Sequence, residues 1–174
     1  MNWKTIVNNT MSKELGQGLV YYFAENPDKI PEFLEYIASN NGKGSSRSAW
    51  VLTHIWDKFP HLLHPYISDI IQILTQPVSE GTQRSIIRIL QYSELPEEED
   101  GFLVEYLFSK LIDPKQAIAI RAFSIAVLGR LVQKYPDLHS EFKLCLEALI
   151  PNASSGLKNR ATKYLKQLNK DYII

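Results

Sequence analysis

Little in this chain invites chemistry. One cysteine, Cys145, stands among 174 residues, so no intramolecular disulfide can form. A lone thiol flanked by Leu144 and Leu146 reads as a small core residue rather than a nucleophile. That usage fits a reducing compartment such as the cytoplasm. Charge of neither sign is in excess, since Lys plus Arg and Asp plus Glu are 19 each. A nucleic-acid binder usually carries a basic surplus, so zero net charge disfavours that class unless one face is locally basic. No apolar run approaches the length of about 18 residues that a membrane span needs. The opening MNWKTIVNNTMSKEL has no basic region followed by an apolar one, so no signal peptide is expected. Gly16-Gln17-Gly18 is not a phosphate loop, and no GxxxxGKS/T, GxGxxG or GxSxG occurs. No catalytic residue, cofactor or metal is therefore expected.

What is present is a rhythm. Arg47, Arg84 and Arg121 recur every 37 residues, and Arg160 follows 39 residues later. Pro77, Pro114 and Pro151 keep the same interval, each 30 residues after its arginine. A period of 20–50 residues marks a repeat array, in which each unit buries its apolar face only by stacking on its neighbours. At 45% hydrophobic and 22% charged, the chain has enough apolar residues for such a core.

Each repeat reads as helix A, turn, helix B, turn. In the fullest one, helix A opens at Asp113-Pro114 and carries Ile118, Ala122, Ile125, Leu128 and Val132 at spacings of three and four, which predicts one buried stripe. Tyr135-Pro136-Asp137 breaks it, and Leu138, Phe142, Cys145, Leu146 and Leu149 mark helix B. Earlier A helices are expected at about 12–25, 45–59 and 79–92. Earlier B helices are expected at about 30–38, around Ile67 to Leu74, and after the acidic start Glu97-Glu98-Glu99-Asp100. Residues 2–8 are read as a short leading helix, and 40–46 as the most flexible linker. A last helix from Ser154 to about Asn169 puts Leu157, Ala161, Tyr164, Leu165 and Leu168 on one face, and Lys158, Lys163, Lys166 and Lys170 on the other. One polar face suits the cap of a repeat array. No stretch alternates like a strand, so the fold class is all-α, a single domain of four helix pairs (1–40, 41–77, 78–114, 115–151) and a capping helix (152–174).

The stretch IDPKQAIAIRAFSIAVLGRL resembles a HEAT repeat, through Asp113-Pro114, Ile120-Arg121, Ala122, Ser124 and Leu128-Gly129. The units around Arg47 and Arg84 resemble it more loosely, for both lack the Leu-Gly step. The resemblance implies a right-handed α-solenoid with B helices on the concave side and A helices on the convex side. It also implies that Arg47, Arg84, Arg121 and Arg160 are structural, bracing adjacent repeats through carboxylates or carbonyls, a role that suits a multi-donor guanidinium.

If B helices line a groove, Tyr66, Asp69 and Gln72, then Glu105, then Glu141 and Lys143, make its polar lining. That mixed charge with an aromatic suits a protein or peptide more than a phosphate backbone. The expected function is a non-catalytic adaptor for an unidentified protein or peptide. The alternative is nucleic-acid binding or base excision. Trp50, Trp56 and Asp57 are similar to the aromatic and acidic residues that HEAT-like DNA glycosylases for alkylated bases place on a basic concave surface. Six residues apart on a helix, however, the two tryptophans cannot form one platform, and one or both are expected in the core. His54, His61 and His64 read as turn histidines rather than metal ligands. Glu94 to Asp100, five carboxylates in seven residues, reads as a solvated turn or a docking surface for a basic partner. The apolar tail Tyr172-Ile173-Ile174 is a candidate for self-association.

Overall fold

Proline punctuates the helices. Asn26, Phe59 and Tyr135 each precede a proline, and each leaves the helical region, with φ/ψ of −131/62, −137/58 and −125/85. Contact with the proline ring biases the preceding residue that way. Each still donates its own N–H to the carbonyl four residues back (Tyr22, Ile55, Leu131), so the last turn closes before the chain reverses. A single 3₁₀ turn follows each proline.

The computed structural model describes residues 2–9, 11–39 and 42–171. Tyr172-Ile173-Ile174, and Asn40 and Asn41 of the expected linker, lie outside the described residues. The described residues form helices and turns, with no strand among them. No helix among them is long and apolar enough to cross a membrane. Two compact units emerge, Met1–Glu97 and Glu98–Ile174.

The first unit holds α1 (Trp3–Asn8), α2 (Lys13–Glu25), α3 (Ile30–Ala38), α4 (Lys43–Lys58), α5 (Ile67–Gln72) and α6 (Glu80–Leu90). Ser12 and Ser79 cap α2 and α6, accepting from Leu15 N and Thr82 N at 3.2 Å. Helix α4 is the centre, packed by α1, α2, α3 and α6, and Val51, Leu52 and Ile55 have no exposed surface. Trp3 on α1 sits edge-on to Phe33 at 5.2 Å, and Phe23 meets Phe33 at 4.2 Å. This aromatic cluster covers the end of the unit.

The second unit holds α7 (Asp100–Ile112), α8 (Ile118–Lys134), α9 (His139–Leu149) and α10 (Ser155–Asp171). Here the sequence reading needs correction. Helix α8 starts four residues after Pro114, because Asp113 closes a turn by accepting from Lys115 N at 2.9 Å. Its expected stripe also fails at the start: Ile118 is 56% exposed and Ala122 only half-buried. Ile125, Leu128 and Val132 of that stripe are buried, and so are Ile120, Val127 and Leu131 outside it, since both α7 and α10 pack on α8. The acidic run splits likewise. Glu97 and Glu98 are exposed, but Asp100 is 3% exposed, and its Oδ2 accepts from Lys134 Nζ at 2.6 Å and Tyr135 OH at 2.7 Å.

Candidate functional site

Two surfaces of the first unit carry chemistry. One lies along α3 and α5. Ile30, Phe33, Leu34 and Ile37 turn into the core, which leaves Glu32 and Glu35, three residues apart, on the open side of α3. Asp28, Glu32, Glu35, Asp69, Gln72 and Gln76 rim a groove of about 870 Å³, with Pro31, Leu34, Ala38 and Ile73 among its apolar lining. Among the described residues no basic side chain lines it. Lys4 reaches one rim carboxylate from outside, 2.7 Å from Glu32, and holds that carboxyl below its ordinary range. Lys29 lies 3.2 Å from Asp28.

Of the side chains expected to line a groove, Asp69 and Gln72 do so. Tyr66 does not line it, being half-buried in the turn before α5. Glu105, Glu141 and Lys143 belong to the second unit, the first two exposed and Lys143 half-buried on α9. The sequence reading missed Asp28, Glu32 and Glu35. The signal was there, as two glutamates off the apolar stripe of α3.

The other surface lies along α2, α4 and α6. Trp50 divides it into two pockets that share Trp50 and Lys13. The first, of about 370 Å³, is lined by Gln17, Val20, Tyr21, His54, Asp57 and Lys58 as well. Asp57 is tied to Arg88, whose Nη2 lies 3.1 and 2.9 Å from its two oxygens. His54 Nδ1 is 3.9 Å from Asp57, yet burial dominates and pushes its pKa down. Lys58 Nζ sits 4.0 Å over the Tyr21 ring and donates to the Tyr21 hydroxyl. The second pocket, of about 500 Å³, adds Met11, Ser12, Ser46, Arg47, Gly81, Arg84 and Ser85. Trp56, by contrast, is a core residue at 7% exposure, against His64. The suspected set therefore separates, with Trp50 and Asp57 on one pocket and Trp56 inside.

The model of the HEAT repeat domain family matches residues 3–168. This chain belongs to that family. No curated protein and no solved structure matches it.

Within this HEAT repeat domain the periodic arginines are not equivalent. Arg47 donates to the Val7 carbonyl at 3.0 Å and to that of Asn9, joining α4 to the end of α1. Arg121 Nε donates to the Leu111 carbonyl at 3.0 Å, and Arg160 Nη1 to that of Ala122 at 3.0 Å. Arg47 and Arg121 satisfy carbonyls that helix ends leave open, while Arg160 ties α10 to a carbonyl within α8. Arg84 departs from the bracing role. It is exposed, faces the second pocket, and has no ion-pair or hydrogen-bond partner among the described residues.

The remaining candidates in the HEAT repeat domain have ordinary surroundings. His54, His61 and His64 pair with the rings of Trp50, Phe59 and Trp56. Among the described residues no three His, Cys, Asp or Glu side chains gather as a metal site. Cys145 is half-buried, and desolvation, aided by Glu141, pushes its thiol up, which keeps it protonated and unreactive at neutral pH.

Proposed function

We propose that this HEAT repeat chain is a non-catalytic binding module whose groove along α3 and α5 holds a basic peptide segment of a partner protein. One observation carries the reading: Asp28, Glu32, Glu35 and Asp69 surround Pro31, Leu34, Ala38 and Ile73, with no cation in the lining among the described residues. Carboxylates on the rim steer a basic chain and set its register, while the apolar floor supplies contact area. The family match supports a helical scaffold, and the arginine and proline period supports reading the helix pairs as repeats of one kind.

The test is fluorescence anisotropy with a labelled peptide of alternating lysine and leucine. Glu35→Gln with Asp69→Asn is expected to weaken binding roughly tenfold and to flatten its salt dependence. Equal affinity in the double variant would sink the peptide groove.

A second reading, nucleic-acid binding, has one observation in its favour. Lys13 and Arg84 stand unpaired beside Trp50. It predicts capture of a single-stranded oligonucleotide with a steep loss in salt. The base-excision form further needs Asp57 to offer charge to a sugar cation, and both its oxygens already meet Arg88. Release of an alkylated base by the pure chain is its readout.

A further inference from the structure

The pocket at the start of α2 and α6 has the makings of an anion site on a surface that the peptide reading does not use. Lys13, Arg47 and Arg84 line it, and among the described residues no carboxylate does. Glu14 and Glu80, nearest in sequence, lie outside the lining. Arg47 is fixed in place by the Val7 and Asn9 carbonyls, while Lys13 and Arg84 have no partner among the described residues. Ser12, Ser46 and Ser85 add hydroxyls.

The backbone contributes as well. Ser12 precedes the first turn of α2, and Gly81 lies in the first turn of α6, helices of 13 and 11 residues. The serine caps satisfy Leu15 N and Thr82 N only. The N–H groups of Lys13 and Gly81 lie in those first turns and have no carbonyl within their helices, as at any helix start, whereas the Glu14 carboxylate already accepts from its own N–H and from Ser12. Two helix starts therefore lie beside three cationic side chains, an arrangement that favours a phosphate.

The pocket does not stop at the charges. Across Trp50 it adjoins the cavity of Val20, Tyr21 and His54, with Lys13 common to both. Trp50 is held there by close contact with Gly16 on α2 and by His54, whose ring centroid is 4.2 Å away. A bare phosphate would fill the basic part alone. We infer that this surface binds a small phosphate monoester, its phosphate among Lys13, Arg47 and Arg84 and its organic part past Trp50 against Tyr21 and His54.

Two substitutions test the site without disturbing the fold. Arg84→Gln removes an exposed, unpartnered cation. Gly81→Asp puts a carboxylate into the pocket at a helix start, where it is favourable to the fold. A Cβ at Gly81 meets nothing closer than Ser46 at 3.6 Å. Calorimetric titration with inorganic phosphate, adenosine monophosphate and a short single-stranded oligonucleotide distinguishes the sources. The expected result is saturable binding of the nucleotide, roughly tenfold tighter than phosphate. Both variants should weaken it by at least that factor with an unchanged or higher melting temperature. Absence of saturable nucleotide binding overturns the site. Equal affinity for phosphate and nucleotide, or affinity unaffected by Gly81→Asp, overturns the monoester assignment. Oligonucleotide binding without mononucleotide binding overturns it too, in favour of the nucleic-acid reading.

Discussion

At the scale of single residues, glycines decide how closely the helices approach. Gly129 on α8 faces the Tyr164 ring on α10, and an added Cβ would overlap ring carbons. Gly129→Ala gains at most about 1 kcal/mol of helix propensity against about 1–3 kcal/mol of overpacking. A lower urea midpoint is expected, and an unchanged one would show that the ring swings aside freely. Asp100 is a buried acid of the second unit, and Asp100→Ala leaves Lys134 and Tyr135 without their common acceptor. The expected loss is about 1–3 kcal/mol, read from the same midpoint.

His54 gives a pH signature at the same scale. Burial lowers its pKa below the ordinary 6.5, so between the two values the unfolded chain binds more protons than the folded one. Its contribution is complete above the unfolded pKa and is lost as the solution acidifies through it towards the lower folded value. Wild type should lose more stability than His54→Gln between neutral pH and mildly acidic pH. Parallel curves for the two proteins would mean that the imidazole is not desolvated.

At the scale of elements, the repeat arginine does two jobs in the first unit. Arg47 closes open carbonyls at the end of α1, so Arg47→Gln is expected to cost about 1–3 kcal/mol. Arg84 touches no partner, and Arg84→Gln should stay within about 0.5 kcal/mol of wild type. Comparable losses from the two variants would restore the view that all periodic arginines brace the stack. Helix α6 depends on its cap in a related way. Ser79 accepts from Thr82 N and lies 2.6 Å from the Ser46 hydroxyl on α4. Ser79→Ala should cost about 1 kcal/mol, checked by thermal unfolding.

At the scale of the whole molecule, a formal charge of zero conceals local separation. In the first unit the groove of α3 and α5 is acidic, and the pocket at the starts of α2 and α6 is basic. With a sequence pI near 6.9, solubility should pass through a minimum close to neutral pH and recover when the solution is made alkaline. Light scattering across that range checks it. Flat scattering would mean that neutral charge does not promote contacts between molecules.

Much of this was legible in the sequence, for reasons of locality. Proline biases the residue before it away from the helix, so Asn26, Phe59 and Tyr135 suggested three helix ends from their neighbours alone, although Ile30 before Pro31 and Ile150 before Pro151 stay helical. Apolar spacing placed α3 at Ile30–Ala38 and separated the lysines of α10 from its buried Leu157, Ala161 and Leu168. The 37-residue period made the chain a repeat protein before any contact was known. Tertiary structure alone decided which charged side chains find partners and which do not. Arg47 and Arg84 hold the same place in the period, yet only Arg47 finds carbonyls, because α1 ends beside it. Asp100 is buried in a run that reads as solvated, because Lys134 and Tyr135, far along the chain, fold onto it. Helix position follows from a few neighbouring dihedrals. The fate of a charge depends on what lies within a few ångströms in space, which local spacing does not encode.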